Sequence, residues 1–106
     1  MKGRDRHAGQ AVTVIVQLKV KPGKEARVRE ELENLFCPTR AEKGCLNYDM
    51  HQAPHNASLF LFHETWVSED DLKRHFEAPH IKHWLHTAEA LLAEPIELTL
   101  WHKMPQ

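Results

Sequence analysis

Leu59-Phe60-Leu61-Phe62-His63-Glu64-Thr65-Trp66, followed at once by Val67-Ser68-Glu69-Asp70-Asp71-Leu72-Lys73-Arg74-His75-Phe76-Glu77-Ala78-Pro79-His80-Ile81-Lys82-His83, is the stretch from which the rest of the chain is read. Its opening residues sort into two alternating sets, Phe60, Phe62, Glu64 and Trp66 against Leu59, Leu61, His63 and Thr65. That is the period of a strand buried or half-buried on both faces. The period then changes. Ser68 suits a helix N-cap, Asp71 lies three residues on, where its carboxylate returns toward the cap, and Glu69 and Asp70 favour the positive helix end. Leu72 and Phe76, four apart, give this helix an apolar stripe, with Arg74 and His75 beside it. A strand ending in an indole thus passes through a one-residue turn into a short helix that folds back over the sheet. His75 is aimed at a pocket whose wall includes Trp66.

Upstream, Ala11 to Val20 is a β-branched run that predicts a first strand, with Val12, Val14, Val16, Leu18 and Val20 on one face. Lys21-Pro22-Gly23 ends it, and a helix from about Lys24 places Val28, Leu32, Leu35 and Phe36 at helical spacing. Pro38 interrupts the backbone ladder, so residues 38–42 form either a separate helical turn or a kinked continuation, closed by Lys43-Gly44. Cys45 to His51 predicts a second strand with Leu46, Tyr48 and Met50 on one face and Cys45, Asn47, Asp49 and His51 on the other. Residues 52–57 then read as a hairpin loop before the third strand, residues 58–66. Downstream, Pro79 can open a second helix carrying Ile81, Trp84, Leu85, Ala88, Leu91 and Leu92; Pro95 stops it, and residues 96–104 predict a fourth strand. The order strand, helix, strand, strand, helix, strand is that of an α+β, ferredoxin-like split βαβ fold with an antiparallel sheet. Helices on one side leave the other sheet face uncovered, and a partner sheet is the natural cover.

Composition bounds the functional classes. The 106 residues, 42% hydrophobic, suffice for one core, expected over residues 11–106 behind a flexible leader, residues 1–10. A net charge of -1 without a basic face argues against nucleic acid as a partner. No apolar run reaches membrane-spanning length and no secretory signal opens the chain, so a cytoplasmic protein is expected. Cys37 and Cys45 form neither a disulfide framework nor a CxxC pair. His80, His83 and His86 recur at intervals of three, but their rings do not easily converge from one helix, and no metal site is assigned. Phosphate loops, dinucleotide fingerprints and nucleophile elbows are absent from the sequence.

The strand ending Glu64-Thr65-Trp66, the helix with Leu72-Lys73-Arg74-His75-Phe76, the following Ala78-Pro79-His80, and the segment Pro38-Thr39-Arg40-Ala41-Glu42-Lys43-Gly44-Cys45-Leu46-Asn47-Tyr48 resemble the antibiotic biosynthesis monooxygenase family, over roughly residues 12–100. The resemblance implies a homodimeric α/β barrel with a pocket in each subunit. It also implies a monooxygenase, quinol monooxygenase-like, that needs no cofactor and uses a small aromatic substrate and molecular oxygen. His75 is the candidate base, since an imidazole both accepts and returns a proton near neutrality. Trp66, Phe62 and Phe60 are candidate aromatic walls, and Tyr48, Asn47 or Arg40 candidate holders of ring oxygens. Asn47 and Tyr48 point to opposite faces, so at most one lines the pocket. His80 either satisfies a helix terminus or caps the pocket, and Glu64, if covered, must be paired or protonated. Haem-degrading relatives use an asparagine, tryptophan and histidine set; the first strand supplies Thr13, Gln17 and Lys19 but no asparagine, which argues against haem breakdown. A small-molecule-binding protein and an oxygen-independent isomerase are the alternatives on the same fold.

Overall fold

The computed structural model describes residues 10–106, so the expected leader lies, but for Gln10, outside the described residues. The elements are β1 (Val12–Lys19), α1 (Glu25–Glu33), α2 (Phe36–Arg40), β2 (Cys45–Ala53), β3 (Asn56–Trp66), α3 (Glu69–Phe76), α4 (Pro79–Leu91) and β4 (Glu97–Trp101). The strands form one sheet in the order β2-β3-β1-β4, every neighbouring pair antiparallel. This is the ferredoxin-like α+β arrangement.

The alternation of β1 and β3 sets the core. Val12, Val14, Val16 and Leu18 are paired in register with Trp66, Glu64, Phe62 and Phe60, so the two sets share one sheet face, and all eight side chains are buried. Against that face pack Val28 and Leu32 of α1, Leu72 of α3 and Ile81, Trp84, Ala88 and Leu91 of α4. The opposite face, with Ile15, Leu59, Leu61 and Thr65 half-buried and Trp101 exposed, carries no helix. A concavity of about 550 Å³ on it is lined by Gln17, His51, Leu59, Leu61 and His63 among others.

The strands depart from the expected pattern at three places. A register shift between Cys45 and Asn47 sets Cys45 opposite Trp66 and Asn47 opposite Thr65. This bulge puts Cys45 on the helix side with Tyr48 and Met50, and leaves Leu46, expected to share their face, exposed. The hairpin is tighter than expected: β2 runs to Ala53 and β3 starts at Asn56, leaving a two-residue turn, Pro54-His55. Strand β4 ends at Trp101, short of the expected Met104. At Pro38 the first of the two alternatives holds. Asn34 and Leu35 separate α1 from α2, and Pro38 sits in the first turn of α2, where its missing N–H costs no helical bond.

Helix α3 begins as its sequence dictates. Ser68 is extended (φ -153°), its Oγ accepts from the Asp71 amide at 3.2 Å and donates to Asp71 Oδ2 at 3.0 Å. The Gly44 turn locks onto this cap. The Val67 amide donates to the Gly44 carbonyl at 2.8 Å, Gly44 has φ +86°, and a Cβ there would run into the Asp71 side chain. No described helix is long and apolar enough to cross a membrane.

Candidate active site

His75 projects from α3 toward the sheet and is 2% exposed. The Trp66 ring lies against it, centroids 4.5 Å apart and planes tilted by 34°, and Tyr48 meets it edge-on at 5.9 Å. One imidazole nitrogen, Nδ1, lies 2.8 Å from Glu42 Oε2. A carboxylate can only accept, so Nδ1 carries the proton in this assignment. The other nitrogen, Nε2, has no hydrogen-bond partner among the described residues; Glu64 Oε1, at 3.9 Å, is beyond hydrogen-bond reach. Nε2 is thus on the side of Glu64, and both residues line the cavity described below.

Glu64 accepts a hydrogen bond from Trp66 Nε1 at 2.9 Å. Its burial is the main cause that pushes its carboxyl up to about 7, reinforced by the Glu42 charge and opposed by the indole hydrogen bond. Burial pushes His75 the other way, below its ordinary value, against the hydrogen bond and charge of Glu42. Tyr48 is likewise driven upward, first by burial and then by the Glu64 charge, so its hydroxyl keeps its proton. The site is therefore a neutral imidazole beside a carboxyl that titrates near neutrality.

These groups open onto a cavity of about 280 Å³ between the sheet, α3 and α4, at the lower edge of the usual size of ligand pockets. Polar Tyr48, Glu64 and His75 lie among apolar walls from Phe62, Phe76, Trp84 and Leu98, with no lysine or arginine in the lining. Leu98 is 41% exposed and Leu85 equally so, which puts the mouth between β4 and α4.

Of the residues singled out from sequence, His75, Glu64, Phe62 and Tyr48 line this cavity. Trp66 does not; it is fully buried behind His75, where it holds the imidazole plane and the Glu64 carboxyl. Phe60, one strand repeat further from the cavity, lines a separate cleft of about 140 Å³ with Arg29, Leu32 and Phe36. Asn47 points to the open sheet face and contacts Asp49 and His63. Arg40 also stays outside. It donates to the Tyr48 carbonyl at 2.8 Å, lies 3.7 Å from Asp49 and covers the Phe36 ring, which ties α2 to β2. His80 sits behind the cavity wall, its Nε2 3.1 Å from Glu42 Oε2 and 3.0 Å from Thr39 Oγ1.

Glu42, Thr39 and Trp84 were not singled out. Trp84 reads in sequence as one more member of the apolar stripe of α4, and Glu42 as an ordinary turn carboxylate; only the fold brings Glu42 to His75, 33 residues away. One donor atom each from Glu42, His75 and His80 lie within 4.8 Å of one another. A transition ion can use such a mixed set; in the structure His75 Nδ1 is hydrogen-bonded to Glu42 and His80 Nε2 to Thr39.

Comparison with known proteins adds the family. Residues 11–87 match the model of the antibiotic biosynthesis monooxygenase family. The chain belongs to that family. It is similar to PA3566 of Pseudomonas aeruginosa, whose crystal structure superposes with a TM-score of 0.86 at 32% identity, covering 93% of this chain and 99% of that one. Rv0793 of Mycobacterium tuberculosis is 32% identical over 89 residues, 84% of this chain and 87% of that protein. Its solved structure gives a TM-score of 0.86 over 92% of this chain and 98% of that one. A Synechocystis protein, sll1783, is 29% identical over 94 residues, 89% of this chain; the match spans 64% of its length. Membership of the antibiotic biosynthesis monooxygenase family supports a monooxygenase-type activity in general terms.

Proposed function

We propose that the chain is a cofactor-independent monooxygenase that oxidises a small, uncharged phenol, quinol or anthrone with molecular oxygen. The observation that carries this is buried His75, its Nε2 without a hydrogen-bond partner among the described residues, lining an apolar cavity together with Glu64 and Tyr48. Such a substrate needs little from the protein beyond a base and a dry cage, because its anion can itself reduce oxygen.

In the proposed sequence His75 Nε2 takes the acidic proton of the substrate, and its apolar walls keep water from the anion. One electron passes from the anion to dioxygen, giving a substrate radical and superoxide. Their recombination forms a carbon–oxygen bond and a peroxide. The peroxide takes the proton of the Glu64 carboxyl, and the Glu64 carboxylate then removes the proton remaining on the carbon that bears the hydroperoxide as the oxygen–oxygen bond breaks and a carbonyl forms. The leaving hydroxide takes the proton of the His75 imidazolium and departs as water, which restores both groups. Substrate and dioxygen thus become oxygenated product and one water, with two hydrogens lost from the substrate. Tyr48, held protonated, donates a hydrogen bond to substrate oxygen, and the cavity's lack of cationic side chains disfavours carboxylated or phosphorylated rings.

We also propose a homodimer, in which a second copy covers the open sheet face with its Leu59, Leu61 and Trp101 and the two sheets close into a barrel. The test of the activity is oxygen uptake by chelator-treated protein with a panel of naphthoquinols and anthrones, corrected for autoxidation without protein and with denatured protein. Uptake above both blanks is expected, and about a hundredfold loss in His75→Ala. Uptake unchanged in that variant would remove His75 as the base. Because His75 and Glu64 also suit a proton transfer between two carbons, turnover that persists without oxygen would favour an isomerase.

A further inference from the structure

We propose that Glu42 is the positioning residue of this site: it sets the tautomer of His75 and balances the positive charge His75 acquires on taking a proton. The inference rests on His75 as the base. Three observations converge on it. First, Glu42 Oε2 is 2.8 Å from His75 Nδ1, which leaves only Nε2 free, the nitrogen nearer the cavity-lining Glu64. Without an acceptor at Nδ1 the ring is free to carry its proton on Nε2 and present a donor where a base is needed.

Second, Glu42 is itself held in place. Its amide donates to the Thr39 carbonyl at 3.0 Å and its carbonyl accepts from Cys45 at 3.3 Å, so the turn is fixed on both sides. His80 braces the same carboxylate oxygen from α4, its Nε2 3.1 Å away, and is in turn held by Thr39 Oγ1 at 3.0 Å. Third, the Gly44 turn that follows Glu42 is clamped to the cap of α3, the helix that carries His75. The carboxylate and the imidazole are thus fixed relative to one another by backbone, not only by their own contact.

The titratable groups facing His75 are Glu42 from the turn, Glu64 from β3, the Tyr48 hydroxyl from β2 and His80 from α4, with the Cys45 thiol at the edge of the group. Of these, Glu42 alone contacts His75 at hydrogen-bond length. It is therefore the group placed to compensate the imidazolium. Glu64 takes the complementary part, a proton donor on the cavity side.

Two variants separate the contributions. Glu42→Gln keeps an acceptor and removes the charge; Glu42→Met removes both at similar volume. Nitrogen-15 NMR of His75 reads the effect directly and needs no substrate. The wild type is expected to show the Nδ1–H tautomer. Glu42→Gln should retain that tautomer with the His75 pKa lowered by about 1, and Glu42→Met should shift the ring toward Nε2–H. With a 1,4-naphthoquinol as probe, Glu42→Met is expected to lose about tenfold or more in kcat with KM within about twofold. Thermal melts of both variants show whether they fold. His80→Asn, which leaves Glu42 in place but unbraced, should give a smaller change of the same direction. An Nε2–H tautomer in the wild type, or an Nδ1–H tautomer unchanged in folded Glu42→Met, overturns the assignment. A changed tautomer with unchanged turnover overturns the positioning role. If the wild type does not oxidise the probe at all, the oxygenase function is in question, while the NMR still decides what Glu42 does to His75.

Discussion

Glu64 carries the sharpest consequence of burial at the scale of single residues. Its ordinary value near 4.5 rises to about 7 in the folded chain. At low pH the carboxyl is protonated in both folded and unfolded chains and burial imposes no ionisation cost. Between about pH 4.5 and 7 the unfolded chain releases the proton while the folded chain keeps it, so stability falls as pH rises, by on the order of 3 kcal/mol in all. Glu64→Gln keeps an acceptor for Trp66 Nε1 and removes this slope. Its melting temperature should gain on that of the wild type as pH rises through this window, and a constant difference across it would contradict a buried, neutral Glu64. His75, pushed down from 6.5, acts in the opposite direction and loses stability as pH falls below that value. Trp66→Phe removes the donor to Glu64 and should cost about 2 kcal/mol in denaturant unfolding. The alternation of residues 59–66 was enough to place Trp66 and Glu64 on the buried face. It could not show that Trp66 stands behind His75 instead of lining the cavity, because that depends on the depth at which α3 crosses the sheet.

Among the elements, the junction of the Gly44 turn with α3 matters most for the site. Ser68→Ala removes the cap of α3 and should cost about 1 kcal/mol. Gly44→Ala imposes a side chain at φ +86° and drives it into Asp71. The expected cost exceeds about 2 kcal/mol, a fall in melting temperature of about 10 °C; a change below about 2 °C would mean that this turn is not clamped to the helix cap. The start of α3 was legible because its signals are local: Ser68 followed by Glu69, Asp70 and Asp71, the last at the right spacing for the cap. The bulge at Leu46 was not, since the strict alternation of Cys45 to His51 gives no sign of an extra residue. Glu42 stayed hidden for a similar reason. Nothing in the turn sequence records a contact with a helix 33 residues downstream.

For the whole molecule, the order of elements and the apolar faces of β1 and β3 lead to the observed four-stranded sheet. They also leave Trp101 exposed on the face without helices, and a second copy is the proposed cover. Leu61→Glu on that face should convert a dimer into a monomer by sedimentation equilibrium, whereas a wild type that is already monomeric at micromolar concentration would contradict the barrel. The pocket's substrate lies beyond sequence pattern, because its walls come from β1, β2, β3, α3, α4 and β4 together. The central claim is tested most directly by turning over a naphthoquinol or anthrone under isotopically labelled dioxygen with chelator-treated protein, and weighing the product by mass spectrometry. A cofactor-independent monooxygenase gives one labelled oxygen atom in each product molecule, formed above the blanks and lost with His75→Ala. Product without the label, or label incorporated equally well by that variant, would contradict it.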